Sequence, residues 1–273
     1  MAVSDTFVSA EAAPRAQRES RLWVAVRAAL PFLVLGAVWE AAAHLGLFPT
    51  KLFPPIEDIA AAFYRLTMSG ILPLHVAQSL MRLFAGFALA AIVGVTLGIA
   101  MGRSRFAEDI FLPLVSIGAP IPGIAYAPLF MLWFDLGNKS AILVVAFVSA
   151  FPIIFNTWTG VKAIKEVWVR SAQVMGADNR RLFRQVVLPG ALPYILTGLR
   201  LGLAQAWRIL VVVELLAAVP WGLGLLIFGA RQFLATDVML AGITMIGIIG
   251  LAMEKLVFQR LEQATVVRWG MMT

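Results

Sequence analysis

The chain has 273 residues, of which 61% are apolar and 14% charged, against about 45–50% and about 25% in soluble globular domains. It is therefore predicted to be an integral membrane protein. The absence of cysteine excludes disulfides and thiolate metal sites, and neither histidine lies in the HExxH motif of zinc enzymes. The net charge is +7, and the charged residues lie mostly in short segments between apolar runs. This distribution is typical of cytoplasmic loops rather than of a nucleic-acid-binding surface.

Stretches poor in charge predict six membrane-spanning helices, because about 20 helical residues cross the ~30 Å hydrocarbon core. In chain order they cover residues 28–48, 83–101, 110–134, 140–161, 190–219 and 238–253. The expected fold class is all-α, a polytopic membrane protein with six transmembrane helices.

The distribution of charge predicts the topology. Residues 1–22 carry mixed charges without an apolar core, which indicates a cytoplasmic N-terminal arm rather than a signal peptide. Most basic residues of the loops fall on the same side as this arm, so both termini are expected in the cytoplasm. Residues 23–262 then form one transmembrane domain, and residues 263–273 form a cytoplasmic tail.

Two segments between the spans are not simple loops. Residues 56–66 have apolar side chains at helical spacing, which predicts an amphipathic helix along the outer membrane face. Residues 221–235 are apolar and rich in glycine, and they fit either a re-entrant stretch or a short helix before the last span.

Prolines and glycines mark two of the spans. Prolines at positions 113, 120, 122 and 128 predict a bent or broken third span, which would either line a cavity or only improve packing. Gly94, Gly98 and Gly102 allow close helix approach, either within one subunit or across a dimer.

The fifth predicted span carries charges at bilayer depth. Arg200, Trp207 and Glu214 recur every seven residues on one helical stripe, and Arg208 lies about 100° away. In one interpretation these residues line a path in which Arg200 or Arg208 lowers the barrier for an anion. In the other, Arg200 extends to the cytoplasmic boundary and Glu214 caps a helix or forms an ion pair near the outer end.

The longest inside segment, residues 162–189, is basic and has two helical patterns separated by Gly176. Gly176 can end the first helix in the left-handed conformation, and Asp178 or Asn179 can cap the second. The segment predicts a helix–turn–helix in the cytoplasm. Taken alone, such a basic loop could simply rest on the lipid headgroups.

The sequence of this loop resembles that of a known protein family. The run from Ser171 to Gly176, nine further residues and then the run from Val186 to Pro189 resemble the EAA loop of ATP-binding-cassette (ABC) importer permeases. Arg170 and Ser171 stand where that family has Glu and Ala. Similarity to the nitrate/taurine/aliphatic-sulfonate branch extends over about residues 79–269, notably at residues 79–82, 86–87, 128–129, 132–134, 151–152, 156–157, 188–193, 198–200 and 233–237.

The resemblance implies a type I ABC importer permease fold and a multi-pass protein of the bacterial inner membrane. It implies a homodimer of permease subunits, two cytoplasmic ATPase subunits and a periplasmic or lipid-anchored substrate-binding protein. The cargo would be a small anion similar to taurine, an alkanesulfonate or nitrate. Since the chain has no GxxxxGK[ST] sequence, ATP is expected to bind to the partner ATPases, and this subunit is expected to be non-catalytic, without a metal or cofactor.

Two sets of residues are assigned to this function. The resemblance places the ATPase contact at Arg170, Ser171, Ala172, Met175, Gly176, Ala177, Leu182 and Phe183. The candidate path residues are Arg208, Glu214, Trp207 and Arg200. The alternatives are a secondary transporter or channel for small anions, which usually needs acidic residues at mid-membrane and an internal repeat, and a membrane enzyme, which needs convergent catalytic groups.

Overall fold

The computed structural model describes residues 21–46, 48–217 and 219–258 of the chain. The predicted C-terminal tail and nearly all of the N-terminal arm lie outside these ranges. The described residues form helices α1 (Arg21–His44), α2 (Ile56–Met68), α3 (Ile71–Arg103), α4 (Arg105–Gly118), α5 (Gly123–Phe134), α6 (Asn138–Lys162), α7 (Glu166–Val174), α8 (Asn179–Leu182), α9 (Leu188–Leu216), α10 (Leu223–Gln232) and α11 (Thr236–Ala252). Single π-helical turns, Phe183–Val187 and Met253–Phe258, precede α9 and follow α11.

Four helical stretches in the described part of the chain are long and apolar enough to cross a membrane: Ile71–Arg103, Asn138–Lys162, Asn179–Leu216 and Thr236–Lys255. The pair α4 and α5 adds a fifth if both helices belong to one span, and α1 contributes a shorter apolar stretch, Ala29–His44. The predicted all-α polytopic fold is confirmed. The count of six spans is reached only when the bent pair and the short first helix are both included.

The third predicted span is broken into two helices. The axes of α4 and α5 differ by 106°, and the break contains Pro120 and Pro122. Pro122 has an extended ψ of 129° and has no amide hydrogen, so a helix cannot continue through it. The expected bend is therefore confirmed, and the chain does not form one straight helix over residues 110–134.

The centre of the bundle is α6, which packs against α3 on one side and α9 on the other. A methyl group added at Gly94 would lie 2.7 Å from Cβ of Ile153, and one at Gly98 would lie 2.6 Å from Cβ of Thr157. The glycine repeat of α3 therefore brings two backbones together within one subunit. Of the two alternatives for this repeat, the structure shows intrachain packing.

The two segments between spans are both helical. The predicted amphipathic helix is α2, which buries Ala62 and Leu66 and packs against α11. The glycine-rich segment forms the short helix α10, which packs on α9 and α11. Residues 221–235 therefore contain a short helix before the last span, as one of the two alternatives predicted.

Candidate functional site

The loop between α6 and α9 is a compact helix–turn–helix. Helix α7 ends at Val174, and Gly176 turns the chain with a φ of +82°, in the left-handed region that favours glycine. The carboxylate of Asp178 accepts a hydrogen bond from the backbone N–H of Arg181 at 2.7 Å and so caps α8. The predicted local structure of residues 162–189 is confirmed, with Asp178 as the capping residue.

The inner side of this loop is anchored to the membrane helices. Ala172, Leu182 and Val187 are buried in one apolar cluster with residues from the adjoining ends of α6 and α9, namely Val161, Ala191 and Ile195. Residues Val95 and Ile99 of α3 also pack against this cluster. This close packing attaches the loop to these helix ends.

Two charged contacts strengthen the attachment of the loop. The guanidinium of Arg103, at the end of α3, lies 5.3 Å from the ring centroid of Phe183. Lys162, at the end of α6, places Nζ 2.5 Å from Oε2 of Glu108 on α4. The base of the loop is therefore connected to α3, α4, α6 and α9.

The outer side of the loop presents an apolar tip. The side chains of Val174 and Met175 are 89% and 80% exposed. Arg170 next to them forms an ion pair with Glu166 at 2.7 Å on the surface of α7. The tip of this charged loop is therefore apolar and exposed.

The eight predicted ATPase-contact residues fall on both sides of this loop. The exposed group comprises Arg170, Ser171, Met175 and Gly176. The buried or half-buried group comprises Ala172, Ala177, Leu182 and Phe183. The structure therefore makes the first group accessible to another protein, whereas the second group shapes and anchors the loop.

The four predicted path residues lie in different surroundings. Arg200 forms an ion pair with Glu254, in the π-helical turn after α11. Trp207 belongs to a buried apolar cluster that includes residues of α3, α6 and α9. Glu214 is completely buried. Arg200, Trp207 and Arg208 line one cleft, whereas Glu214 is buried and lies outside it.

Arg208 differs from Arg200, the other arginine of α9, because its side chain is more exposed and lies between two clefts. Its guanidinium donates hydrogen bonds to the carbonyl oxygen of Ala204 and to Oε1 of Gln205, each at 3.2 Å. In the described ranges no carboxylate lies within 4.0 Å of this guanidinium. One cleft, of about 340 Å³, reaches the break between α4 and α5, and the other, of about 380 Å³, reaches Glu254.

A buried ion pair holds α3 against α9. Arg82 Nη1 donates to Glu214 Oε1 at 2.7 Å, and both side chains are completely buried. Glu214 also accepts from Ser79 Oγ at 2.8 Å and from the backbone N–H of Gly224 at 3.0 Å. Arg82 Nε donates to Oδ1 of Asn138 at 2.7 Å. This cluster, Ser79–Arg82–Asn138–Glu214, joins three helices to the first turn of α10.

Sequence reasoning allowed an ion pair for Glu214 but did not identify Arg82 as its partner. The available signal was the presence of opposite charges in two apolar stretches, which favours pairing inside a membrane. The two residues are 132 positions apart, and hydropathy alone does not say which helices are neighbours.

The sequence of the chain is similar to those of known proteins. Residues 90–262 match the family described as binding-protein-dependent transport system inner membrane component. The taurine transport system permease protein TauC of Escherichia coli K12 is 39% identical over 226 residues, which covers 81% of this chain and 82% of that protein. The putative aliphatic sulfonates transport permease protein SsuC of the same organism is 35% identical over 227 residues, covering 82% and 86%.

A solved structure shares the fold. One chain of the MetNI methionine ABC transporter, in an inward-facing conformation, superimposes with a TM-score of 0.61 at 19% identity. The match covers 73% of this chain and 98% of that one. The predicted importer-permease fold is confirmed by this likeness. On its helical architecture and its sequence, the chain belongs to the family of inner membrane components of binding-protein-dependent transport systems.

Proposed function

We propose that the chain is the transmembrane permease subunit of an ATP-driven importer for a small anion. A substrate-binding protein, periplasmic or lipid-anchored, delivers the anion, and two chains form a homodimer in the bacterial inner membrane with both termini in the cytoplasm. Relatives named for the transport of taurine, aliphatic sulfonates and nitrate support a substrate that carries a sulfonate or nitrate group.

ATP hydrolysis belongs to two partner ATPases, and the 162–189 loop receives their motion. The observation that carries this assignment is the contrast between the two sides of the loop. Val174 and Met175 are exposed at its tip, whereas Ala172 and Leu182 are buried at its base. The tip enters a groove of the ATPase, and the base passes the displacement to the ends of α3, α6 and α9.

The translocation path runs along the face of α9 that carries Arg208. An unpaired cation facing lipid at bilayer depth costs at least about 2.5–3.5 kcal/mol, so its exposed guanidinium faces water or protein in the assembly. The two clefts beside it provide room for a small oxyanion. Trp207 and Arg200 form the wall of the second cleft. Glu214 supports the path indirectly, because its ion pair with Arg82 fixes α9 to α3.

Reconstitution tests the need for partners. Proteoliposomes containing this chain alone are expected to show no uptake of radiolabelled taurine, because the energy source is absent. Addition of the cognate ATPase, binding protein and ATP is expected to start uptake. Uptake by the isolated chain under an ion gradient would instead show a secondary transporter and overturn the proposal.

The same assay tests Arg208. Removal of its charge in Arg208→Gln is expected to lower uptake at least about tenfold, whereas Arg208→Lys retains most of it. Arg105→Gln, an exposed position at the start of α4, is the matched control and should leave uptake unchanged. Equal uptake by Arg208→Gln and the wild type would remove Arg208 from the path.

A further inference from the structure

Three metal-ligating side chains meet where α1 ends and α2 begins. Glu40 and His44 lie one turn apart on α1, and Glu57 lies in the first turn of α2. His44 Nε2 is 2.8 Å from Glu40 Oε1 and 3.3 Å from Glu57 Oε1. One ligand atom from each residue lies within 4.8 Å of the other two.

We propose that Glu40, His44 and Glu57 bind one first-row divalent cation of the Zn²⁺ type. Zn²⁺ takes imidazole nitrogen and carboxylate oxygen at about 2.0–2.2 Å, and tetrahedral ligands at that distance are separated by about 3.3 Å. The 3.3 Å between His44 Nε2 and Glu57 Oε1 matches this value, and the 2.8 Å between His44 Nε2 and Glu40 Oε1 is a hydrogen-bond length that must widen when a cation binds. Two carboxylates also balance the charge of a divalent ion, and one imidazole ligand favours Zn²⁺ over Mg²⁺ or Ca²⁺.

The backbone orients one ligand before a cation arrives. Oε2 of Glu40 accepts a hydrogen bond from the N–H of Ile56 at 2.9 Å. This bond occupies one oxygen of the carboxylate and leaves Oε1 directed toward His44. Hydrogen bonds of this kind, from a group outside the ligand set, typically fix ligand orientation in metal sites.

The site has an open fourth position. The side chains of His44 and Glu57 are 62% and 59% exposed, so water reaches the centre of the three ligands. A three-ligand zinc site completed by water has the usual tetrahedral number. His75, the second histidine of the chain, is buried against the carbonyl oxygen of Gly222 and is not available for an external ion.

A bound cation would fasten α1 to α2. Most described side chains of α1 are exposed. The same end of α1 already contacts the following segment through Trp39, which donates a hydrogen bond to the carbonyl oxygen of Pro54 and stacks on Phe53 at 3.9 Å. The metal would add a bond between the two helices at this end.

Calorimetry on the full chain tests the site. The chain is purified in detergent without a polyhistidine tag and titrated with ZnCl₂. We expect one equivalent of Zn²⁺ per chain, with His44→Gln and Glu57→Gln each weakening binding at least about tenfold. Asp58→Asn makes the same charge change one residue away from Glu57 and is expected to bind as the wild type does.

Thermal unfolding gives a second readout that does not depend on the variants being equally stable. Saturating Zn²⁺ should raise the melting temperature of the wild type and of Asp58→Asn, but not that of His44→Gln, because a ligand stabilises only the state that binds it. Absence of saturable Zn²⁺ binding in the wild type, or unchanged binding in His44→Gln, would overturn the site. The cluster would then be a set of polar contacts between His44 and two carboxyl groups.

Discussion

Gly176 controls the shape of the apolar tip because its φ of +82° is accessible to glycine and strained for other residues. We expect Gly176→Val to cost about 1–2 kcal/mol locally and to displace Val174 and Met175 from the ATPase groove. The variant should insert into the membrane normally but hydrolyse ATP without transport. The ratio of substrate taken up to ATP hydrolysed in proteoliposomes measures this effect.

Gly46 supplies the matched control for this substitution. It also has a positive φ, +67°, with no atom within 4 Å of an added Cβ, but it lies just after α1 and away from the loop. Gly46→Val should show similar local strain and normal coupling. Coupled transport at the wild-type ratio in Gly176→Val would remove Gly176 from the mechanism.

Local residue signals were sufficient for the turn of the loop and insufficient for side-chain partners. A glycine followed by Asp178 specifies a helix end and a helix start over a few residues, so both could be predicted. The pairing of Arg82 with Glu214 depends on which helices are neighbours, and Arg208 differs from Arg200 only through its tertiary surroundings. These distinctions required the structure.

Helices α3 and α9 are held together by the buried Arg82–Glu214 ion pair as well as by apolar packing. Removing one partner leaves the other charge buried and unpaired, which costs about 3–5 kcal/mol. We therefore expect Arg82→Met and Glu214→Gln each to lower the free energy of unfolding by this amount. The double variant should be less destabilised than the sum of the two, as measured by denaturant unfolding in detergent.

The ion pair between Arg200 and Glu254 provides the comparison, because both side chains are half-exposed. Glu254→Gln should cost about 1 kcal/mol or less, since exposed pairs contribute little. If the losses in free energy of unfolding of Arg82→Met and Glu214→Gln simply add up in the double variant, the buried pair does not join the two helices energetically.

At the level of whole helices, hydropathy predicted where elements lie but not how they bend or how long they are. The clean apolar spans became α3, α6 and α11 because uninterrupted apolar stretches have few other ways to satisfy the backbone in lipid. The prolines of the third span signalled a break without giving its 106° angle. The structure of residues 221–235 could not be predicted, because a short apolar segment packs according to its neighbours, which here are α9 and α11.

In the whole subunit, one apolar cluster connects the 162–189 loop to several membrane helices. The loop base shares an apolar cluster with α3, α6 and α9, and the glycines of α3 bring the backbones of α3 and α6 together. Under the proposed function, displacement of the loop would tilt these helices together, as in rigid-body alternating access. The substrate could not be predicted from this chain, because in the proposed assembly a separate binding protein exercises much of the selectivity.

Single-cysteine cross-linking tests the proposed coupling most directly, since the natural chain has no cysteine. Met175→Cys, in the complex assembled with a partner ATPase that carries a single cysteine in its surface groove, is expected to form a disulfide cross-link and to stay inaccessible to membrane-impermeant maleimide in intact cells. Met175→Cys that reacts with maleimide from outside the cell, and forms no cross-link to the ATPase, would contradict the coupling mechanism.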